Sequence, residues 1–78
     1  MTKKDFLSGD LIMMKDVSAR SLIIWDSVFS NALDELTKTE LATIIKDQDS
    51  YGWIQVLTPR GIIGYVHKTN VAHSIERK

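Results

Sequence analysis

Short apolar runs separated by polar or glycine-containing turns set the rhythm of this chain. Leu11 to Lys15 follows Gly9-Asp10 and reads as a first strand entered through a tight bend. Val17-Ser18-Ala19-Arg20-Ser21 alternates small apolar and polar residues and leads into the apolar run Leu22-Ile23-Ile24-Trp25, closed by Asp26. This predicts a second strand, or two short ones joined by a bend. The next segment supports two readings. Val28, Phe29, Ala32, Leu33 and Leu36 recur at helical spacing, with Ser27 or Ser30 as N-cap, so one reading is a helical turn within 28–37. The other is a long loop whose Phe29, Leu33 and Leu36 fold back onto the core while Asp34, Glu35 and Lys38 stay in water.

From Glu40 the period becomes two. In Glu40 to Lys46, Ala42 and Ile44 share one face and Leu41, Thr43 and Ile45 the other. After the polar turn Asp47 to Ser50, the run Tyr51 to Leu57 sets Ile54 and Val56 opposite Trp53, Gln55 and Leu57. Thr58-Pro59-Arg60-Gly61 is a hairpin turn, because Pro presets φ at the second position and Gly accepts the left-handed one. Ile62 to Val66 returns as the next strand, with Gly64 at a bulge or a close backbone approach. His67 to Asn70 predicts one helical turn, and Val71 to Ile75 a closing strand. Five or six short strands at this spacing predict an all-β fold, a small barrel that hides its strand edges.

The second half resembles the bacterial Src-homology-3 domain. The residues that carry the resemblance are Leu36, Ala42 to Ile45, Gly52-Trp53-Ile54-Gln55-Val56, Gly61, Gly64-Tyr65-Val66-His67 and Val71. Val17 to Ser21 looks like that family's opening strand, which ends in an Arg-Ser pair. The chain then departs from the pattern: Leu22 to Trp25 stands where the family has a Gly-Pro turn, and Thr39 replaces a turn glycine. The resemblance implies a Src-homology-3-like barrel over 9–76, with an arm at 1–8 and a tail at 77–78. In related eukaryotic domains the Trp matching Trp53 helps bind extended proline-rich peptides, and the bacterial relatives are often cell-wall or protein binders.

Composition narrows the function classes. Of 78 residues, 34 are apolar, and Ile, Val and Thr together number 20, which favours sheet over helix. A chain this short holds one domain. Ten basic and ten acidic residues give zero net charge, which argues against a uniformly basic, duplex-coating or polybasic membrane protein. The balance is uneven along the chain, however. Residues 26–49 carry six acids and two bases, net −4, whereas 59–78 carry four bases and one acid, net +3. There is no cysteine, no apolar run near the ~20 residues that span a bilayer, and no hydrophobic signal region at the start. The expected location is the cytoplasm or a viral particle, with no membrane partner.

Enzyme chemistry finds little support. His67 and His73 fall on different predicted elements without an acid at metal-ligand spacing, so no metal or other cofactor is expected. Asp34-Glu35 and Asp47/Asp49 read as solvated acids, since the latter lack the Glu that completes a calcium loop. The aromatic set is more informative. If Ile54 and Val56 face the core, Trp53 points outward, where its large area and single N–H donor suit a protein-binding surface. Tyr51, Trp53, Tyr65 and Asn70 form the expected protein-binding set. The competing reading has Trp53 packed peripherally against Gln55, Pro59 and the long loop. Trp25 ends an apolar run and is expected in the core or a subunit interface. The surplus of apolar residues in 11–14 and 22–25 fits self-association or docking into an assembly. Arg60 and Lys68 could contact phosphate or an acidic partner. The expectation is thus a non-enzymatic protein-interaction module, an accessory or structural subunit of a larger assembly, resembling small bacteriophage-encoded proteins of particles. The alternative is a small-barrel nucleic-acid binder using its C-terminal bases.

Overall fold

The computed structural model describes residues 6–16, 18–28 and 30–74. These residues form seven strands: β1 Leu11–Met14, β2 Leu22–Trp25, β3 Ala32–Leu36, β4 Ala42–Lys46, β5 Trp53–Leu57, β6 Ile63–His67 and β7 Val71–His73. One three-residue 3-10 turn, Lys68–Asn70, separates β6 from β7. All pairings are antiparallel, and the strands make one sheet in the order β3-β2-β6-β5-β4-β1-β7. The Cα radius of gyration, 11.5 Å, matches the roughly 11.5 Å expected for one folded unit of this length.

Period-two alternation explains which face each strand buries. Ile12 and Met14, Leu22 and Ile24, Ala42 and Ile44, Ile54 and Val56, Val66 and Val71 all point inward, joined by Leu36 and Phe6 in one apolar core. A one-residue slip in any central strand would send its core residues into water, so the register is strongly specified. At Gly64 the close approach expected from sequence is present. A Cβ there would lie 2.5 Å from Ile24 Cγ2 and 2.8 Å from the Trp25 carbonyl oxygen. The missing side chain is what lets β2 lie against β6, where the register pairs Trp25 with Tyr65. The 58–61 hairpin also forms as expected, with Gly61 at φ 86° and its N–H donating to the Thr58 carbonyl at 2.9 Å.

Several expectations require correction. The strands number seven rather than five or six, because β2 and β3 make a hairpin of their own. No helical turn occupies the described part of 28–37: Ala32–Leu36 is a strand paired with β2, and Phe29 lies outside the described residues. The helical spacing is not used for burial. Leu36 is fully buried, whereas Val28 is 70% exposed and Leu33 45%. Neither Ser27 nor Ser30 caps a helix. Instead the Asp26 carboxylate accepts from the Val28 and Ser30 N–H groups at 3.2 and 3.1 Å and from Asn31 Nδ2 at 2.9 Å, tying a loop. That loop reverses the chain so that β3 can satisfy the backbone of β2.

Residues 18–21 form turns rather than an opening strand, and Val17 lies outside the described residues. Asp16 organises that bend by accepting from the Ser18 N–H at 3.0 Å and from the Ser18 hydroxyl at 2.6 Å. The closing strand stops at His73, and Ile75 and the tail 77–78 are outside the described residues. The described end of the 1–8 arm belongs to the folded unit. Phe6 is buried and stacks on His73 with centroids 4.3 Å apart, and its backbone exchanges hydrogen bonds with Gln48.

Candidate functional site

Outward positions on β2, β6 and β5 line up through the ladder. Trp25 is opposite Tyr65, Tyr65 is opposite Gln55, and two residues along β5 Trp53 is opposite His67. Directly opposed residues of an antiparallel pair share a face. Two tryptophans, a tyrosine and a histidine therefore occupy one outer surface, each partly buried. Gln55 Nε2 reaches the Tyr65 hydroxyl at 3.5 Å, the outer limit of a hydrogen bond.

The end of this surface near Trp53 is held by a closely bonded turn. Asp49 Oδ1 accepts from the N–H groups of Tyr51 and Trp53 at 2.9 and 2.8 Å, and the Asp49 N–H donates to the Trp53 carbonyl. An Asp accepting from backbone two residues on is a self-contained turn device, which explains why this segment needs no packing of its own. His67 completes it. Its Nε2 lies 3.0 Å from the Tyr51 carbonyl oxygen, and its Nδ1 lies 2.9 Å from the Thr69 hydroxyl and accepts from the Thr69 N–H at 3.3 Å. The tautomer with its proton on Nε2 satisfies these contacts together. The ring also meets Trp53 edge-on, centroids 5.0 Å apart at 83°. Tyr51 stands 80% exposed on this fixed backbone.

Beside Trp25 the surface opens into a groove of about 360 Å³ between the end of β1, the 15–22 segment, β2 and the 3-10 turn. Met14, Ile23 and Trp25 supply apolar walls, and Asp16, Thr69 and Asn70 supply polar groups. The Asp16 carboxyl is held below its ordinary value by the hydrogen bonds from the Ser18 hydroxyl and N–H, so this rim of the groove is anionic at neutral pH. Lys15 sits next to it with the opposite charge.

Of the residues expected to bind protein, Trp53 and Tyr65 share the outward face, Tyr51 adjoins it in the turn before β5, and Asn70 lines the groove. Arg60 and Lys68 are not brought together. The β5–β6 register runs from Trp53 opposite His67 to Leu57 opposite Ile63, so Lys68 and Arg60 lie at opposite ends of the hairpin, about 13 Å of strand apart. Arg60 already holds acids of this chain, with Nε 2.9 Å from Asp34 Oδ1 and Nη1 2.5 Å from Glu40 Oε2. Trp25, expected in the core or a subunit interface, lies outside the core cluster and walls the groove. The period-two rule identifies it once Leu22 and Ile24 are assigned inward. Among the described residues, no three His, Asp or Glu side chains gather where they could hold a metal ion. No helix among them is long and apolar enough to cross a membrane.

No protein-family model, curated protein or solved structure matches this chain.

Proposed function

We propose that this chain is a protein-interaction module that takes an extended segment of a partner across the Trp25–Tyr65–Trp53 face and into the groove walled by Trp25 and Asn70. The observation that carries this reading is the meeting of an aromatic row with a concave, mixed apolar and polar groove on one side of the sheet. Large rigid aromatics give contact area at low entropic cost, and the polar groups at the groove would fix the orientation of a peptide backbone. A Src-homology-3-like closure of the sheet fits the same picture. The β4-β5-β6 meander, the 3-10 turn after β6 and the return of β7 to β1 support it, together with the motif residues Gly52-Trp53 and Gly64-Tyr65-Val66. In this reading the chain works without catalysis, as an accessory subunit of an assembly.

The test is a library of extended peptides, including proline-rich ones, screened against the wild-type chain and against Trp25→Ala and Trp53→Ala. Each substitution is expected to weaken binding at least tenfold while the fold is retained by circular dichroism. Binding unchanged in both variants would remove the aromatic face from function. Salt-sensitive RNA or DNA binding that Lys68→Ala abolishes would replace this reading with the nucleic-acid one.

A further inference from the structure

Strand β3 ends the sheet order, with β2 on one side and no strand among the described residues on the other. It is a poor candidate for safe exposure. Ala32, Leu33 and Glu35 are exposed, Leu36 is its one buried residue, and an exposed edge with free backbone groups is a template for pairing with another chain. Yet the edge-facing groups of Glu35 are both covered. Its N–H donates to Asp34 Oδ1 at 2.8 Å, and its carbonyl accepts from Arg60 Nη2.

Arg60 reaches this position from the β5–β6 turn, and its guanidinium is fully engaged there. Nε donates to both Asp34 carboxylate oxygens at 2.9 and 3.0 Å, Nη1 to Glu40 Oε2 at 2.5 Å, and Nη2 to Glu40 Oε1 at 3.1 Å as well as to Glu35. The acids are themselves fixed: the Thr58 hydroxyl bonds Asp34, and Glu40 Oε1 accepts from the Thr37 N–H at 3.0 Å. A planar fork with five N–H donors can hold two carboxylates and a carbonyl at once, which an ammonium cannot match in geometry.

We propose that Arg60 is a guard over the β3 edge, and that the occupant it holds off is a second copy of this chain adding strand to strand at Glu35. The second copy follows from the page in two ways. The edge is apolar and uncharged at Ala32 and Leu33, and the chain as a whole has zero net charge, so copies do not repel one another. The same two β3 strands, laid antiparallel, also present identical edges to each other, the self-complementary condition for a two-fold pair. The guard is independent of the aromatic groove, which lies beside Trp25 on the other side of β2's pairing partners.

The experiment compares wild type, Arg60→Ala and Arg60→Lys by light scattering over a hundredfold range of concentration. The expected result is that the apparent mass of Arg60→Ala at least doubles relative to wild type as concentration rises, with Arg60→Lys intermediate. Adding Glu35→Pro, which deletes the edge-facing N–H, should return the mass to the wild-type value, whereas adding Trp53→Ala should not. A folded Arg60→Ala chain with wild-type mass at every concentration overturns the proposal, as does association that Glu35→Pro leaves intact. Failure of both Arg60 variants to fold also overturns it, because the cluster would then serve stability alone.

Discussion

Replacing Gly64 by Ala tests the contact on which the placement of β2 depends. The new Cβ would sit 2.5 Å from Ile24 Cγ2 and 2.8 Å from the Trp25 carbonyl oxygen, where carbon contacts relax only near about 3.5–4.0 Å. Neither obstacle yields cheaply. Ile24 is fully buried and β-branched, so its χ1 is stiff, and the Trp25 oxygen is backbone. Relief requires β2 to move away from β6 by about 1 Å, and the ladder joins those strands at the single pair Trp25–Tyr65. Overpacking of this kind costs roughly 1–3 kcal/mol, and two obstacles at once place it near about 3. The reduced freedom of an unfolded alanine chain offsets up to about 1 kcal/mol, leaving a net loss near about 2. A chain of this length holds about 4–12 kcal/mol in total, so the melting temperature should fall by about 8–16 °C. Thermal unfolding followed by circular dichroism measures this, and amide exchange should quicken first in β2 and β3. A variant within about 0.5 kcal/mol of wild type would refute the reasoning, since it would mean that β2 does not need the glycine to reach β6.

Other outcomes follow from single contacts. Leu36→Ala empties a fully buried site and should cost about 2–5 kcal/mol in denaturant unfolding, although its strand is otherwise exposed; a loss below 1 would contradict the burial of the β2–β3 hairpin. Burial pulls the Asp34 carboxyl upward, but hydrogen bonds from Thr58 and Arg60 outweigh it and hold the group below its ordinary value; Glu40 is lowered chiefly by Arg60 and then by the Thr37 N–H. Both contribute stability that is present above the ordinary carboxylate range and lost as pH falls through the lowered values. Denaturant midpoints should therefore drop on acidification below about pH 4, and Arg60→Ala should flatten that slope. His67→Ala removes the acceptor for the Thr69 N–H, the partner of the Tyr51 carbonyl and the ring beside Trp53; in a Trp25→Phe background, Trp53 emission should shift to the red, and unchanged emission would contradict the contact.

Strands β4, β5 and β6 were legible because each has one face buried in a common core and the other outward, so residue type alternates with period two. The hairpin turn at 58–61 and the close approach at Gly64 were legible for the same kind of reason, as each demands a particular residue. The β2–β3 hairpin was not. Ala32-Leu33-Asp34-Glu35-Leu36 contains no β-branched or aromatic residue, and its apolar positions fit a helix as well as an edge strand. What decides the matter is non-local: β2 needs a partner for its backbone, and the loop tied by Asp26 delivers β3 to it. Trp25 was misplaced along with that hairpin. It closes an apolar run that reads as core, and its outward orientation emerges only when Leu22 and Ile24 are both seen to face in.

Charge shows the same limit from the opposite side. The acidic middle and basic end of the chain read as two separate faces, with Arg60 aimed at phosphate or an acidic partner. The acidic partner is in fact the chain itself: Arg60 reaches Asp34, 26 positions earlier, and Glu40, 20 positions earlier. A contact of that sequence separation leaves no periodic trace, so only the imbalance between segments hinted at it. Its consequence bears on function, because a guanidinium already holding two carboxylates and a backbone carbonyl must lose those partners before it can bind a phosphate. Nucleic-acid recognition would therefore have to break the contacts that close the β3 edge, whereas a peptide laid across Trp25, Tyr65 and Trp53 would disturb none of them. The division of labour favours the aromatic face as the binding surface and the charged cluster as internal to the fold.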